Sequence, residues 1–229
     1  MSMRFVFLHV GSDFRPELLV RSIRRLMPTA KITQCTDRNT EKINDVDDVF
    51  VLDEDASNLM TFRLRAFSLL GLEEPAVYLD TDILITKSFS LDQLLSGRQI
   101  AICKRTFGQD DFINPTFKGM DLSEYTNKTF GEIYPYLASF NATITNQFWT
   151  DCSVKLLTLD PKFHFWYGDQ EAMREVIKTQ KFSTKELPES LVSCLPEHVN
   201  PSDLPLAVHF KGPRRKNLMM AAAKQLGLT

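Results

Sequence analysis

Val77-Tyr78-Leu79-Asp80-Thr81-Asp82-Ile83-Leu84-Ile85 is the stretch on which the fold of this sequence turns. Ala76 to Leu79 is apolar at every position, as a strand buried on both faces of a sheet must be. The run leads straight into two carboxylates at i and i+2, and a second apolar run follows. Alternate residues of an extended segment share a face, so Asp80 and Asp82 point the same way. Two hard carboxylates at the carboxyl end of a buried strand suit Mg²⁺ or Mn²⁺. Open α/β sheets bind their ligands at that end. A solvated turn is the plain alternative, and the apolar runs on both sides speak against it.

Working outward, strand and helix patterns alternate. Arg4 to Val10 reads as a buried strand. Pro16 suits the first turn of a helix whose apolar face is Leu18, Leu19, Ile23, Leu26 and Met27, and Pro28 ends it. Lys31 to Cys35 and Val49 to Leu52 read as strands. Asn58 to Leu70 is a helix closed by Gly71. Downstream, Gln99 to Cys103, Ser139 to Thr145 and Leu206 to Phe210 read as strands, and Gly168 to Thr179 and Asn217 to Leu226 as helices. Residues 104–135 read as loops and short helices. The pattern predicts an α/β chain with a mostly parallel central sheet covered by helices on both faces. No Pro/Gly/Ser linker interrupts it, so one domain over residues 1–229 fits best.

Composition narrows the function classes. Lys and Arg number 27 against 29 Asp and Glu, and 43% of residues are hydrophobic. A disordered chain would be less apolar and further from neutrality, and a chain binding nucleic acid by bulk charge would be basic throughout. The near-neutral total hides an asymmetry. After Asp203 there is no acid, but there are five bases, Lys211, Arg214, Arg215, Lys216 and Lys224. The body is acidic and the C-terminal segment basic. Cys35, Cys103, Cys152 and Cys194 stand in no ligand spacing and read as free thiols of a reducing, cytoplasmic compartment. No apolar run approaches a membrane span. The basic terminal helix could rest on an anionic membrane surface, though an ordinary packed helix is the simpler reading.

Three further features carry chemistry. In Ala207-Val208-His209-Phe210-Lys211-Gly212-Pro213-Arg214-Arg215-Lys216, His209 would complete a two-Asp, one-His metal set. Gly212 lets backbone approach a phosphate, and Lys211, Arg215 or Lys216 would neutralise a diphosphate. In Trp166-Tyr167-Gly168-Asp169-Gln170, Asp169 is a helix cap or a substrate contact. Phe140-Asn141-Ala142 places a polar residue in a strand.

In this order the elements resemble the family 8 glycosyltransferases, to which glycogenin and the bacterial lipopolysaccharide galactosyl- and glucosyltransferases belong. The resemblance runs from about Asn58 to Lys216 through Thr61-Phe62-Arg63-Leu64, the Asp-Thr-Asp stretch, Phe140-Asn141-Ala142, Gly168-Asp169-Gln170 and His209-Phe210-Lys211-Gly212. It implies a GT-A fold with a nucleotide-binding half over about 1–105 and an acceptor-binding half over about 106–229. It implies a UDP-sugar donor, a saccharide acceptor, Mn²⁺ (or Mg²⁺) and retention of configuration. By resemblance, Asp80, Asp82 and His209 are the metal ligands, and Arg63 and Thr81 contact the donor. Asn141, Asp169 and Gln170 meet the donor sugar and reacting carbon, and Gly212 with a following cation clamps the diphosphate. Thr143 and Arg215 replace the family's usual Gly and Lys. His9-Val10-Gly11-Ser12-Asp13 replaces its first-strand end, so Val10 and Asp37 are the expected base and ribose contacts. A nucleotidyltransferase would carry a Gly-rich basic loop after the first strand, which Gly11-Ser12-Asp13-Phe14-Arg15 is not. A dehalogenase-type phosphatase would carry its Asp pair after the first strand. A non-catalytic sugar-nucleotide or glycan-binding domain would not need Asp169 and His209 beside the Asp pair.

Overall fold

The computed structural model describes residues 3–228. Among them run β1 (Arg4–Leu8), α1 (Arg15–Leu26), β2 (Lys31–Thr36), β3 (Asp48–Val51), α2 (Leu59–Leu70), β4 (Ala76–Leu79) and β5 (Ile83–Ile85). Then come α3 (Leu91–Leu95), β6 (Ile100–Lys104), α4 (Phe130–Ile133), β7 (Tyr136–Thr143), α5 (Gln147–Thr158) and α6 (Gly168–Lys178). The series closes with β8 (Thr184–Pro188), α7 (Glu189–Val192), β9 (Ala207–His209), α8 (Gly212–Lys216) and α9 (Met219–Gln225).

Seven strands form one sheet in the order β3-β2-β1-β4-β7-β6-β8. β1 to β4 are mutually parallel, β7 is antiparallel to both its neighbours, and β6 and β8 are parallel to each other. The sheet is therefore mostly parallel, as the continuous apolar strands predicted. Side-chain alternation divides its two faces. Phe5, Phe7, Val77, Leu79 and Ala142 enter one core with Leu19 and Ile23 of α1 and Leu94 of α3. Val6, Tyr78, Ile100 and Ile102 enter the other with Phe62 and Phe67 of α2, Trp149 of α5 and Met173 of α6. A fully buried Phe, Leu or Ile contributes about 1.5–3 kcal/mol, so helices on both faces supply most of the driving force. A two-stranded sheet, β5 with β9, sits beside the large one and covers Leu84, Val208, Phe210 and Met219 in a third core.

Several boundaries and elements differ from the sequence reading. β1 stops at Leu8, and positive-φ Gly11 follows (φ 101). α5 was not expected, because Phe148, Trp149, Thr150, Cys152 and Val154 are poor helix formers. Its buried residues Phe148, Trp149, Cys152 and Leu156 nevertheless share one helical face, and packing overrides propensity. β8 is a charged edge strand with no apolar alternation, and β5 is three residues long, so neither gave a periodic signal. The terminal helix begins at Met219, two residues later than expected, after the separate turn of α8.

One irregularity bears on function. The β6–β7 ladder pairs Ile102 with Asn141 and then Cys103 with Leu137, so Ala138–Phe140 bulge away from β6 while Phe140 stays paired with Leu79 of β4. The fully buried Asn141 side chain spans the gap: Oδ1 accepts from the Cys103 amide at 3.0 Å and Nδ2 donates to the Leu137 carbonyl at 3.1 Å. The bulge presents the Ser139 carbonyl to the Asp80 amide, 2.9 Å away.

Candidate metal and nucleotide site

The chain leaves β4 into Asp80, half-buried Thr81 and buried Asp82 before β5 begins. β5 pairs antiparallel with β9 so that Ile83 lies opposite His209, and the Phe210 amide donates to the Asp82 carbonyl at 2.8 Å. This small sheet is what brings an imidazole from near residue 210 to carboxylates near residue 80. His209 Nε2 stands 3.1 Å from Asp82 Oδ1 and 3.9 Å from Asp80 Oδ2. One ligand atom from each of the three lies within 4.8 Å of the others. His209 Nδ1 is 2.9 Å from Ser193 Oγ, which is 2.9 Å from Ser139 Oγ. All three groups are buried. A hydroxyl on Nδ1 sets the ring's orientation and leaves Nε2 toward the carboxylates.

Cations surround the Asp pair. Arg63 on α2 reaches Asp80 Oδ1 at 2.7 Å and Asp169 Oδ2 at 2.8 Å. Burial works against the Arg63 charge, but Asp80, Asp169 and Asp82 outweigh it and hold its pKa above the ordinary arginine value. Burial pushes the Asp169 carboxyl up; Arg63 opposes that and Asp80 adds to it. Burial also acts against the Asp82 charge, but His209 and Lys216 overcome it and hold this carboxyl well below the usual range. Lys216 Nζ lies 3.1 Å from Asp82 Oδ2.

Asp169 is placed by a tight approach into α6. Tyr167 takes a left-handed φ of 56°, and Gly168 is pressed so closely on the Phe163 carbonyl that a Cβ would overlap it. Asp169 Oδ1 then accepts the Gln170 amide at 2.8 Å, and Gln170 Oε1 accepts from Arg105 Nη2 at 3.0 Å.

Two clefts open on the surface, and Lys216 borders the second. One, of about 490 Å³, lies beyond the carboxyl ends of β1, β2 and β3 and is lined by Val10, Asp37, Asn39, Leu52, Asp55 and Ser57, among others. Thr36 Oγ1 and Asn58 Oδ1, next in sequence to lining residues, are buried without a hydrogen-bond partner. The second, of about 350 Å³, is lined by Asp13, Phe14, Arg15, Pro213, Lys216 and Asn217.

Most residues singled out in the sequence therefore meet: Asp80, Asp82, His209, Arg63, Asp169 and Lys216 share direct contacts, and Gln170 adjoins them. Val10 and Asp37 line the larger cleft. Gly212 takes φ 80, a conformation that favours glycine, with open space where a Cβ would stand. Two residues depart from expectation. Asn141 is fully buried, with both ends of its amide bonded across the β7 bulge, where the sequence suggested a donor-sugar contact. Arg215 grips Glu197 with a forked contact, Nε lying 2.9 Å and 3.0 Å from the two carboxylate oxygens, so it is not a free diphosphate clamp. That contact holds the Glu197 carboxyl down to about 2. Ser193, Ser139, Arg105 and Glu189 were missed. None stands in a recognisable motif, and only the folded topology brings each to this edge.

No protein-family model matches this chain, and no curated protein matches it.

Proposed function

We propose that the chain is a metal-dependent glycosyltransferase of GT-A type that moves a hexose from a UDP-sugar to a saccharide acceptor with retention of configuration. The observation that carries this reading is the meeting of Asp80, Asp82 and His209, from segments far apart in sequence, at the carboxyl end of a central parallel strand. The donor set suits Mn²⁺ or Mg²⁺: two carboxylate oxygens and an imidazole nitrogen whose ring is already oriented by Ser193. A bound ion would supply positive charge to a diphosphate leaving group. The larger cleft would take the base and ribose, with Val10 and Asp37 among the contacts.

The residues divide the work. Arg63 holds Asp80 and Asp169 in place. Asp169 and Gln170 face the donor sugar from the start of α6. Lys216 adds a cation at the diphosphate side, where Pro213 and Lys216 line the smaller cleft. The bond from the anomeric carbon to the diphosphate oxygen breaks as positive charge develops on the ring. The acceptor oxygen bonds to the same face, and its proton passes to the departing diphosphate. No separate base is required.

UDP release from UDP-glucose and UDP-galactose with Mn²⁺ tests this. Asp80→Asn and Asp82→Asn should each lower release roughly a hundredfold or more, as loss of a charge-stabilising group does, and a chelator should do the same. Release that survives the chelator and both substitutions would refute the proposal. UDP binding with no turnover would leave a binding domain, and pyrophosphate release would point to a nucleotidyltransferase.

A further inference from the structure

The loop between β1 and α1 contributes to both clefts. Val10, near its start, lines the larger one; Asp13, Phe14 and Arg15, where it enters α1, line the smaller. Its path is pinned. Gly11 takes φ 101 and its amide donates to Thr40 Oγ1 at 2.7 Å, while the Thr40 amide donates to Asp37 Oδ1 at 3.0 Å. The clefts on either hand differ in charge. The larger is lined by Asp37, Asp53, Glu54 and Asp55, with Arg38 the only cation among its described lining residues. The smaller is lined by Arg15 and Lys216, with Asp13 the only acid among its described lining residues. Carboxylates repel a phosphate from the first, and cations draw it to the second.

That single acid is already committed. Asp13 Oδ1 accepts the Arg15 amide at 3.0 Å, and Oδ2 pairs with Arg15 Nη2. The pairing holds the guanidinium by one corner. Nη1 has no acceptor among the described residues. A guanidinium presents five donors in a planar fork that matches the oxygens of a phosphate, and Asp13 occupies one corner of it. The first amides of α1 are not available instead. The Arg15 amide is taken by Asp13, Pro16 has none, and the Glu17 amide donates to the Phe14 carbonyl at 3.1 Å. Recognition in this cleft therefore falls to side chains.

Lys216 reaches the same cleft from α8, at the far end of the chain. Its Nζ lies 3.1 Å from Asp82 Oδ2, so this cavity begins beside the Asp80/Asp82/His209 cluster. Arg15 and Lys216 thus border one space of about 350 Å³, near the lower end of the range for small-molecule sites, about 300–1,000 Å³. Exposed Phe14 and Pro213 complete its walls and bring no competing charge.

We infer that Arg15 is the residue that selects a diphosphate, holding it with Lys216 in the smaller cleft while the nucleoside lies across the β1–α1 loop in the larger one. The nucleoside rests on the glycosyltransferase reading; the phosphate subsite does not. Isothermal titration with inorganic pyrophosphate, uridine and UDP, each with Mg²⁺, tests it. Pyrophosphate should bind, and Arg15→Met should weaken pyrophosphate and UDP about tenfold or more, the loss expected for hydrogen bonds to a charged group, leaving uridine unchanged. Arg15→Lys, which keeps the charge and loses the fork, should recover part of the loss. Arg214→Met removes an exposed cation of α8 that is not among the residues lining either cleft, and should change nothing. Melting curves verify folding. If Arg15→Met fails to fold, Asn217→Asp decides alone, since a carboxylate added to the same cleft should weaken pyrophosphate about fivefold or more. Pyrophosphate that does not bind the wild type, that binds the deciding folded variant as tightly, or that is weakened equally by Arg214→Met overturns the inference. UDP binding untouched by Arg15→Met removes only this subsite. Arg15-dependent pyrophosphate binding without UDP binding removes the donor reading and leaves the phosphate site standing.

Discussion

Replacing Arg63 with Met removes the one cation shared by Asp80 and Asp169. The Asp169 side chain is 4% exposed, and its Oδ2 takes an Arg63 contact at 2.8 Å. Leaving a buried partner uncompensated costs about 3–5 kcal/mol. Asp80, at 21% exposure, adds little, since water screens it. For a chain of this size each kcal/mol lowers Tm by about 2–4 °C, so the variant should melt roughly 6–20 °C below the parent at pH 8. The loss should depend on pH. Burial already raises the Asp169 carboxyl, and without Arg63 only backbone amides oppose that rise. A group whose folded pKa lies above its unfolded value, near 4 for a carboxylate, binds its proton more tightly when folded. Stability then falls as pH climbs from the unfolded value through the folded one, and stays low above it. Melting by scanning fluorimetry from pH 4.5 to 8, with chelator present, should show the gap narrowing toward the acid end. A Tm loss under about 3 °C at pH 8, or a loss equal at every pH, refutes the reasoning.

Two other substitutions separate positioning from structure. Ser193→Ala removes the hydroxyl from His209 Nδ1 and should weaken Mn²⁺ binding about 10–100-fold while barely moving Tm without metal; manganese titration checks it, and unchanged affinity would remove Ser193 from the site. Asn141→Ala severs both amide hydrogen bonds across the β7 bulge and should cost about 2–4 kcal/mol through the unpaired Cys103 amide and Leu137 carbonyl, read by urea unfolding. The KM for UDP-sugar of the remaining folded enzyme should not change.

The sheet and much of the site could be read from sequence because both rest on local signals. Ala76–Leu79 is apolar throughout, the Asp-Thr-Asp turn follows at once, and Gly168-Asp169-Gln170 opens a helix with an amphipathic stripe. What escaped depends on partners remote in sequence. Asn141 looked like a substrate contact because a polar residue inside an apolar strand suggests one, and nothing local announced a three-residue bulge for its amide to span. Arg215 looked like a free cation because Glu197, eighteen residues earlier, falls beside it only once α8 has folded back. Ser193 had no motif at all; its role arises where the chain after α7 runs parallel beside β9, Cys194 bridging Val208. The terminal basic stretch thus divides by partner: Arg215 pairs with Glu197 and Lys216 with Asp82.

The β5–β9 pairing also sets an order of assembly. It joins segments so distant that the neighbouring Thr86–Pro205 hydrogen bond spans 119 residues. On the ribosome every strand of the large sheet has been made once Pro188 emerges, and the cores on both its faces can consolidate. His209 and its supporting strand arrive afterwards. Contacts this long-range are the slowest to form, so the meeting of Asp80, Asp82 and His209 should lag behind acquisition of compact structure. A chain halted in between would be protease-resistant over the large sheet and would lack the assembled Asp80/Asp82/His209 cluster.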